Sequence, residues 1–248
     1  MKVLHLLSLS ALLCISTLHA GQQLQIDTNA LSVLKDMSET LATAKGVTFR
    51  SQSIHEVSAV TGQFITFFSV AEVALKRPDK LRARHGGDAP AFDFYYDGSS
   101  VSAIAPQTKV YSTSEAPGTI DGMLAGLRAE TGIRFPSSPL LRSDPYAILS
   151  HNLISAVVVG STRVDGIECN HLAFRSPGVN WEIWIDARTS LPRRLAVTFT
   201  DTPGFPRTVI DFSHWNLHPS LPNSSFVFHK PSGFRQIPFS AVLHSADR

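Results

Sequence analysis

Apolar residues change from a helical to an alternating spacing near the start of the chain. Between residues 28 and 45, Leu34, Met37 and Leu41 recur every three or four positions, with charged residues on the other faces. This period predicts an amphipathic helix, and Gly46 is expected to end it because glycine favours helix termination.

The next two apolar segments, residues 47–57 and 60–76, alternate with a period of two and predict a long β-hairpin. In the second strand, Phe64 and Phe68 share one face and Phe67 lies on the other. Since both faces are apolar, we expect one to cover a core and the other to be covered by helices, a lid or a ligand.

Later segments repeat the strand pattern between turn signals such as Asp97-Gly98 and Asp165-Gly166. A helical insert of about residues 117–151 interrupts them, and Asp144-Pro145 is expected to open its second helix. A single antiparallel sheet with one helical interruption is the simplest assembly. The further predicted strands are residues 81–85, 91–96, 100–105, 109–114, 154–163, 168–175, 180–186, 191–200, 205–216, 226–229 and 236–240.

Residues 1–20 are typical of an export signal. Lys2 gives a positive start, an apolar stretch of about ten residues follows, and Ala20 provides a small residue for cleavage. The apolar stretch is too short to span a membrane. We therefore predict a signal peptide cleaved near Ala20 and a single domain at residues 21–248 that works in an extracytoplasmic compartment.

Charge and cysteine content exclude several classes of protein. The net charge of +2 becomes +1 without residues 1–20, because Lys2 is their only charged residue. The basic residues between Lys76 and Arg84 lack interleaved aromatic residues, which argues against a nucleic-acid partner. After cleavage Cys169 is the only cysteine, so the fold must depend on its apolar core rather than on an internal disulfide.

Two pairs of chemically capable residues are spaced too widely along strands to act together. His214 and His218 would lie ~13 Å apart in a strand, whereas the ligand bonds of zinc are about 2 Å long. Glu182 and Asp186 would also lie ~13 Å apart in a strand. This is too far for a glycosidase pair, because the two carboxylates of such enzymes lie less than ~10 Å apart. We therefore expect no metal site.

Cys169 and His171 point to the same side of a predicted strand, about 7 Å apart. A Cys–His nucleophile is chemically conceivable, but a lone cysteine is commonly a buried core residue. The sequence carries no G-x-S-x-G, H-E-x-x-H, Walker or G-x-G-x-x-G motif. We expect neither an enzyme nor a cofactor; a hydrolase that combines Cys169, His171 and Glu182 across strands is the enzymatic alternative.

Aromatic residues suggest a large apolar surface inside the sheet. Trp181 and Trp184 occupy opposite faces of one predicted strand, so only one of them can face inward. Two interpretations are open. The sheet packs on its own helices, or one concave face holds a hydrophobic ligand such as an acyl chain.

Several motifs follow one another along the chain. The strand ending in Lys76-Arg77-Pro78 is followed by Tyr96-Asp97-Gly98, later by Trp181–Asp186, and finally by Pro231-Ser232-Gly233-Phe234. This ordered set resembles the periplasmic carriers of outer-membrane lipoproteins, the LolA/LolB class. The chain is similar in particular to an uncharacterised family of predicted periplasmic proteins related to that class, with which it shares the long insert.

The resemblance implies a curved antiparallel half-barrel with a helical lid over an apolar cavity. Arg77 occupies the position of a carrier arginine that hydrogen-bonds the lid backbone and helps to gate the cavity. The expected lid helices are residues 28–45 and 117–131. The predicted ligand-binding residues are Phe64, Phe68, Arg77, Trp181 and Trp184.

The function implied is that of a non-enzymatic carrier or chaperone for an acylated or otherwise hydrophobic ligand, a lipid or a lipoprotein. A membrane-associated donor or acceptor protein is the expected second partner, and the chain is expected to be a monomer. The alternative is a periplasmic interaction or sensor module whose cavity is filled by its own side chains. An insert that plugged the cavity would favour this alternative.

Overall fold

The predicted architecture, mainly β with a few helices, is confirmed. Over its described residues, the computed structural model forms one curved 12-stranded sheet with α-helices packed against it. The predicted signal peptide lies outside the described residues. The structure describes residues 25–88, 91–116, 118–131, 135–239 and 242.

The first helix follows the predicted amphipathic period. It begins after Asp27, whose carboxylate accepts a hydrogen bond from the Asn29 N–H at 2.8 Å and caps the helix. It ends two residues earlier than predicted because Ala44 is already extended and leads into the first strand. The helices are α1 (Thr28–Thr43), α2 (Ile120–Thr131) and α3 (Pro145–Leu149), with a 3₁₀ turn at Ser138–Leu141.

The strands agree with most of the alternating segments to within a few residues. The largest shift is in the second strand, which starts at Phe64 because residues 59–63 form the hairpin turn. The strands are β1 (Gly46–Ser58), β2 (Phe64–Lys76), β3 (Lys80–Gly87), β4 (Phe92–Tyr96), β5 (Ser100–Ala105), β6 (Val110–Glu115), β7 (Ser155–Val164), β8 (Ile167–Ser176), β9 (Val179–Asp186), β10 (Pro192–Phe199), β11 (Arg207–Asn216) and β12 (Arg235–Gln236).

The sheet is open, and its order is β12-β6-β5-β4-β3-β2-β1-β11-β10-β9-β8-β7. Neighbours that follow one another in sequence pair as antiparallel hairpins, and β1 joins the two halves by pairing with both β2 and β11. The helical insert separates β6 from β7. These two strands therefore lie far apart in the sheet, and the insert can cross its concave face.

The C-terminal segment differs from its prediction. The predicted strand 226–229 is absent from the described residues, and a 3₁₀ turn at Asn223–Phe226 takes its place, with the Phe226 side chain fully buried. The Phe228 ring packs instead on Tyr95 and Tyr111, on the convex face of the sheet. The alternating phenylalanines Phe226 and Phe228 therefore mark a segment that packs on the sheet and is not one of its strands. Of the predicted strand 236–240, residues 237–239 are not strand and residue 240 lies outside the described residues; the strand seen here is β12, which runs parallel to β6.

The two halves of the concave face are covered differently. Leu172, Ile183 and Leu195 of β8–β10 are at most 3% exposed and share one buried cluster with Leu34 and Met37 of α1. This half is solidly packed by the protein itself. The other half, formed by β1–β4 and β11, lies under α2 and residues 135–141 and is not filled. We call α2 with residues 135–141 the lid.

Candidate functional site

A cavity of about 540 Å³ lies between the lid and the concave face of the sheet. Its volume is within the range of about 300–1,000 Å³ that is typical of small-molecule sites. Strands β1–β4, β10 and β11 contribute its floor, and the lid contributes its roof. Large apolar side chains from both sides form its walls: Phe92, Phe94, Leu124, Leu127, Phe199 and Ile210.

The cavity has a mouth that reaches solvent. Phe135 of the lid lines the cavity and is 39% exposed, and Glu56 and Thr202 at the opposite edge are also exposed. An apolar aromatic ring at the opening of an apolar cavity offers a continuous surface from solvent to the interior. The lid therefore covers the cavity without sealing it.

The floor of the cavity is polar, although its walls are apolar. On β1 the inward positions change from buried Val47 and Phe49 to Ser51, Ser53 and His55. The neighbouring strands continue this polar strip. We define the polar floor as Ser51, Ser53, His55, Ser69, His85 and Thr208.

Strand pairing makes the polar floor contiguous. Ser53 lies opposite Ser69 of β2, and their hydroxyl oxygens are 2.6 Å apart. His55 lies opposite Thr208 of β11. Our sequence interpretation missed this strip; its only signal was polar residues at every second position of β1, on the face that carries Phe49.

Arg77 joins the lid to α1. Its Nη1 donates a hydrogen bond to the Leu141 carbonyl at 3.1 Å, and its Nη2 donates to the Leu41 carbonyl at 3.3 Å. Burial lowers the pKa of Arg77 from its ordinary value, and the nearby Asp121 carboxylate opposes this effect. Arg77 thus bonds the backbone of the lid at Leu141 and of α1 at Leu41, and its role in gating a ligand stays a prediction.

A second set of hydrogen bonds holds the start of α2 at the same turn. The Ile120 N–H donates to the Pro78 carbonyl at 2.9 Å. The Asp121 carboxylate accepts from the Ser143 N–H at 3.0 Å and from its hydroxyl, and Arg142 donates to the Asp121 carbonyl. The Arg77-Pro78 turn therefore anchors the ends of α1, α2 and the 3₁₀ turn, and the last two of these border the cavity.

Phe64 and Phe68 do not lie where a cavity-lining role requires. The inward residues of β2 are Ser69, Ala71 and Val73, so the even-numbered residues point to the convex face. Phe64 and Phe68 are 39% and 42% exposed there. The expectation that both faces of this strand would be covered is also wrong for these residues. An alternating pattern shows that two faces exist, but not which of them is concave.

Trp181 and Trp184 point to opposite faces, as predicted. Trp181 faces inward and stacks on Phe174 with ring centroids 4.0 Å apart. It lies in the packed half of the concave face and does not line the cavity. Trp184 lies on the convex face, where it stacks on His171 at 4.1 Å, with the Arg194 guanidinium 6.0 Å from its ring centre.

Glu182, on the convex face, takes part in a structural ion-pair network. It receives hydrogen bonds from His171 at 2.9 Å and from Arg207 at 2.7 Å. Burial would raise the pKa of Glu182, but these two bonds outweigh burial and lower the pKa.

Asp186 is held by a different partner. It receives a hydrogen bond from Arg193 at 2.9 Å. Burial alone would raise its pKa, yet bonds from Arg193, the Arg188 N–H and Thr189 lower the pKa to about 2. Glu182 and Asp186 thus serve separate networks rather than forming a catalytic pair.

The thiol of Cys169 is buried and lies opposite Asp186 in the sheet, and burial raises its pKa. A raised pKa disfavours the thiolate that nucleophilic chemistry requires. Within the described part of the chain, no group of three or more histidine, cysteine, aspartate or glutamate residues could hold a metal ion. No helix among the described residues is long and apolar enough to cross a membrane.

An open, curved sheet with helices over its concave face is the fold of the LolA-like lipoprotein carriers. The chain belongs to the family described as "Predicted periplasmic protein (DUF2092)", whose model matches residues 30–240. No curated protein matches the chain.

Solved structures are similar to this chain at low sequence identity. The Mycobacterium tuberculosis lipoprotein LppX is 14% identical, with a TM-score of 0.51 over 79% of this chain and 100% of LppX. LprF from Mycobacterium bovis is 13% identical, with a TM-score of 0.49 over 80% of this chain and 98% of LprF. A LolA superfamily protein from Nitrosomonas europaea is 10% identical, with a TM-score of 0.38 over 80% and 97% of the two chains.

Proposed function

We propose that this protein is a periplasmic carrier or chaperone that binds an acylated or otherwise hydrophobic ligand, a lipid or a lipoprotein, in the cavity beneath the lid. The observation that carries the proposal is the unfilled volume of about 540 Å³, with walls of phenylalanine and leucine. Moving an acyl chain from water onto these walls is favourable by about 25 cal/mol for each Å² of apolar surface buried. Membership of a predicted periplasmic family supports the location.

The mechanism is non-covalent and uses the Arg77 latch. Arg77 ties the lid at Leu141 to α1 at Leu41. Since α1 is packed into the closed half of the sheet, it serves as the fixed side, and the lid is the moving side. Breaking the bond to Leu141 widens the mouth at Phe135 and admits the ligand. Of the two expected lid helices, only α2 covers the cavity.

The alternative, an interaction or sensor module, requires a concave face filled by the protein's own side chains. This is true of the half under α1, where Trp181 and Phe174 are buried. The half under α2 retains its volume, and the helical insert roofs the cavity rather than plugging it. The open half supports the carrier proposal over this alternative.

The proposal is tested by blocking the cavity from its floor. Ala71 lines the cavity on β2, so Ala71→Phe places a ring inside it. Thr66→Phe on the same strand places a ring on the exposed convex face and is the matched control. The neutral apolar dye N-phenyl-1-naphthylamine reports binding by its fluorescence.

We expect the dye to saturate the wild-type protein and Thr66→Phe with similar affinity. Ala71→Phe should weaken binding at least tenfold while retaining the circular dichroism of the wild type. Equal dye binding by Ala71→Phe and Thr66→Phe would place the dye outside the cavity and contradict the proposal.

A further inference from the structure

The charge of the cavity limits what its ligand can carry. Among the described residues that line it, Glu56 at the mouth is the one carboxylate, and no lysine or arginine is present. A phosphate or carboxylate drawn into such a cavity loses its hydration without gaining a lysine or arginine partner, which is costly; the titratable cationic side chains that line it are His55 and His85. The interior therefore disfavours an anionic group.

The polar floor also disfavours a pure hydrocarbon as the ligand, because a hydrocarbon has no hydrogen-bond acceptor. Within the described structure, the hydroxyls of Ser51 and Thr208 make no side-chain hydrogen bond, and they face the cavity together with the His55 ring. The Ser53–Ser69 hydroxyl pair shares one hydrogen bond and keeps a further donor. Covering these groups with alkyl chain alone would exclude water from them without providing an acceptor.

We propose that the ligand of this cavity is a neutral acyl ester, whose carbonyl oxygens accept hydrogen bonds from the serine and threonine hydroxyls of the polar floor. Its acyl chains then lie against Phe94, Leu124 and Leu127. An ester carbonyl fits both constraints because it is uncharged and is an acceptor without a donor. This inference rests on the proposed carrier function and adds the chemical class of the ligand.

The pairing of β1 with β2 places the ester group at the floor of the cavity and not at its mouth. Ser53 and Ser69 face each other near the middle of the β1–β2 hairpin, and Ser69 is only 5% exposed. A group bonded to them lies beneath the lid, with apolar walls on either side. A lipid whose headgroup is ionised can be accommodated only with that headgroup outside the mouth.

Competition against bound N-phenyl-1-naphthylamine separates the ligand classes. The competitors are dodecane, methyl laurate and laurate, which share a twelve-carbon chain and differ in the terminal group. For the wild-type protein we expect methyl laurate to displace the dye at a concentration at least tenfold below that needed for laurate. Stronger displacement by laurate would overturn the inference in favour of an anionic ligand.

The double variant Ser53→Ala and Ser69→Ala tests the hydrogen bonds directly. The ratio of methyl laurate affinity to dodecane affinity should fall about tenfold, because the ester loses its partners and the alkane loses nothing. Thr66→Ala on the convex face should leave the ratio unchanged. If the double variant does not fold, the wild-type competition decides the question, because displacement by dodecane at the same concentration as methyl laurate would overturn the ester.

The two proposals fail in different ways. Absence of dye binding to the wild-type protein would remove the carrier function itself. If the dye binds but the ratio of methyl laurate affinity to dodecane affinity is the same in the wild type and the double variant, the result overturns the ester proposal. The carrier function would still stand.

Discussion

At the scale of single residues, Arg77 shows how one side chain can hold three parts of the chain together. Its planar guanidinium has donors on two nitrogens in a fixed fork, so it reaches Leu41 and Leu141 at the same time. The sequence could suggest this role through the position of the Arg77-Pro78 pair in the resemblance. It could not supply the two carbonyl partners, which come from segments 36 and 64 residues away.

Replacing this guanidinium should loosen the lid. A lysine in Arg77→Lys keeps the charge but cannot bridge two separated carbonyls, so one buried carbonyl loses its partner. We expect a loss of about 1–3 kcal/mol in the free energy of unfolding, measured by urea denaturation. Arg50→Lys, at an exposed ion pair with Glu72, is the control and should cost under about 1 kcal/mol. Equal losses in the two variants would show that Arg77 is not a latch.

Asp186 should make the protein sensitive to acid. Its pKa is about 2 in the folded protein and about 3.9 when unfolded. Because folding lowers this pKa, its contribution is complete above about pH 4 and is lost as the pH falls through about 2. It amounts to about 2 kcal/mol.

Urea denaturation of Asp186→Asn between pH 6 and pH 2 measures this contribution. The gap in unfolding free energy between wild type and variant should narrow as the pH falls through this window. The exposed Asp36→Asn is the control. A gap for Asp186→Asn that does not change with pH would contradict the assignment.

At the scale of elements, β2 separates what the sequence could predict from what it could not. The alternation of side chains along β2 correctly predicted a strand and the two sets of residues that lie on its opposite faces. The choice of concave face depends on pairing with β1 and β3 and on the position of the lid, and neither is local to β2. Large aromatic rings make Phe64 and Phe68 the lining residues that the sequence favours, whereas the cavity-lining residues of this strand are Ser69, Ala71 and Val73.

The face assignment of β2 can be tested by stability. Phe68 is 42% exposed on the convex face, and Leu75 is 1% exposed on the concave face. We expect Leu75→Ala to lower the free energy of unfolding by about 2–5 kcal/mol, as for other buried leucines. Phe68→Ala should cost less, because about two fifths of this residue is already exposed to water. In urea denaturation, a larger loss for Phe68→Ala than for Leu75→Ala would contradict the assignment of Phe68 to the convex face and Leu75 to the concave face.

At the scale of the whole molecule, one sheet performs two tasks. The half under α1 supplies a conventional core, with Trp181 packed on Phe174, and gives the protein its stability. The half under α2 keeps a cavity that the protein's own side chains leave open. The sequence predicted enough apolar surface for both halves. It could not predict which apolar residues belong to the packed half and which to the cavity, because this depends on where the insert crosses the sheet.

Native mass spectrometry of the protein, purified from the periplasm without detergent, tests the central claim most directly. We predict a population whose added mass is that of an acyl lipid, and loss of this population in Ala71→Phe but not in Thr66→Phe. A wild-type spectrum that contains only the bare chain, or an adduct that Ala71→Phe retains, would contradict the account of this cavity as a ligand site.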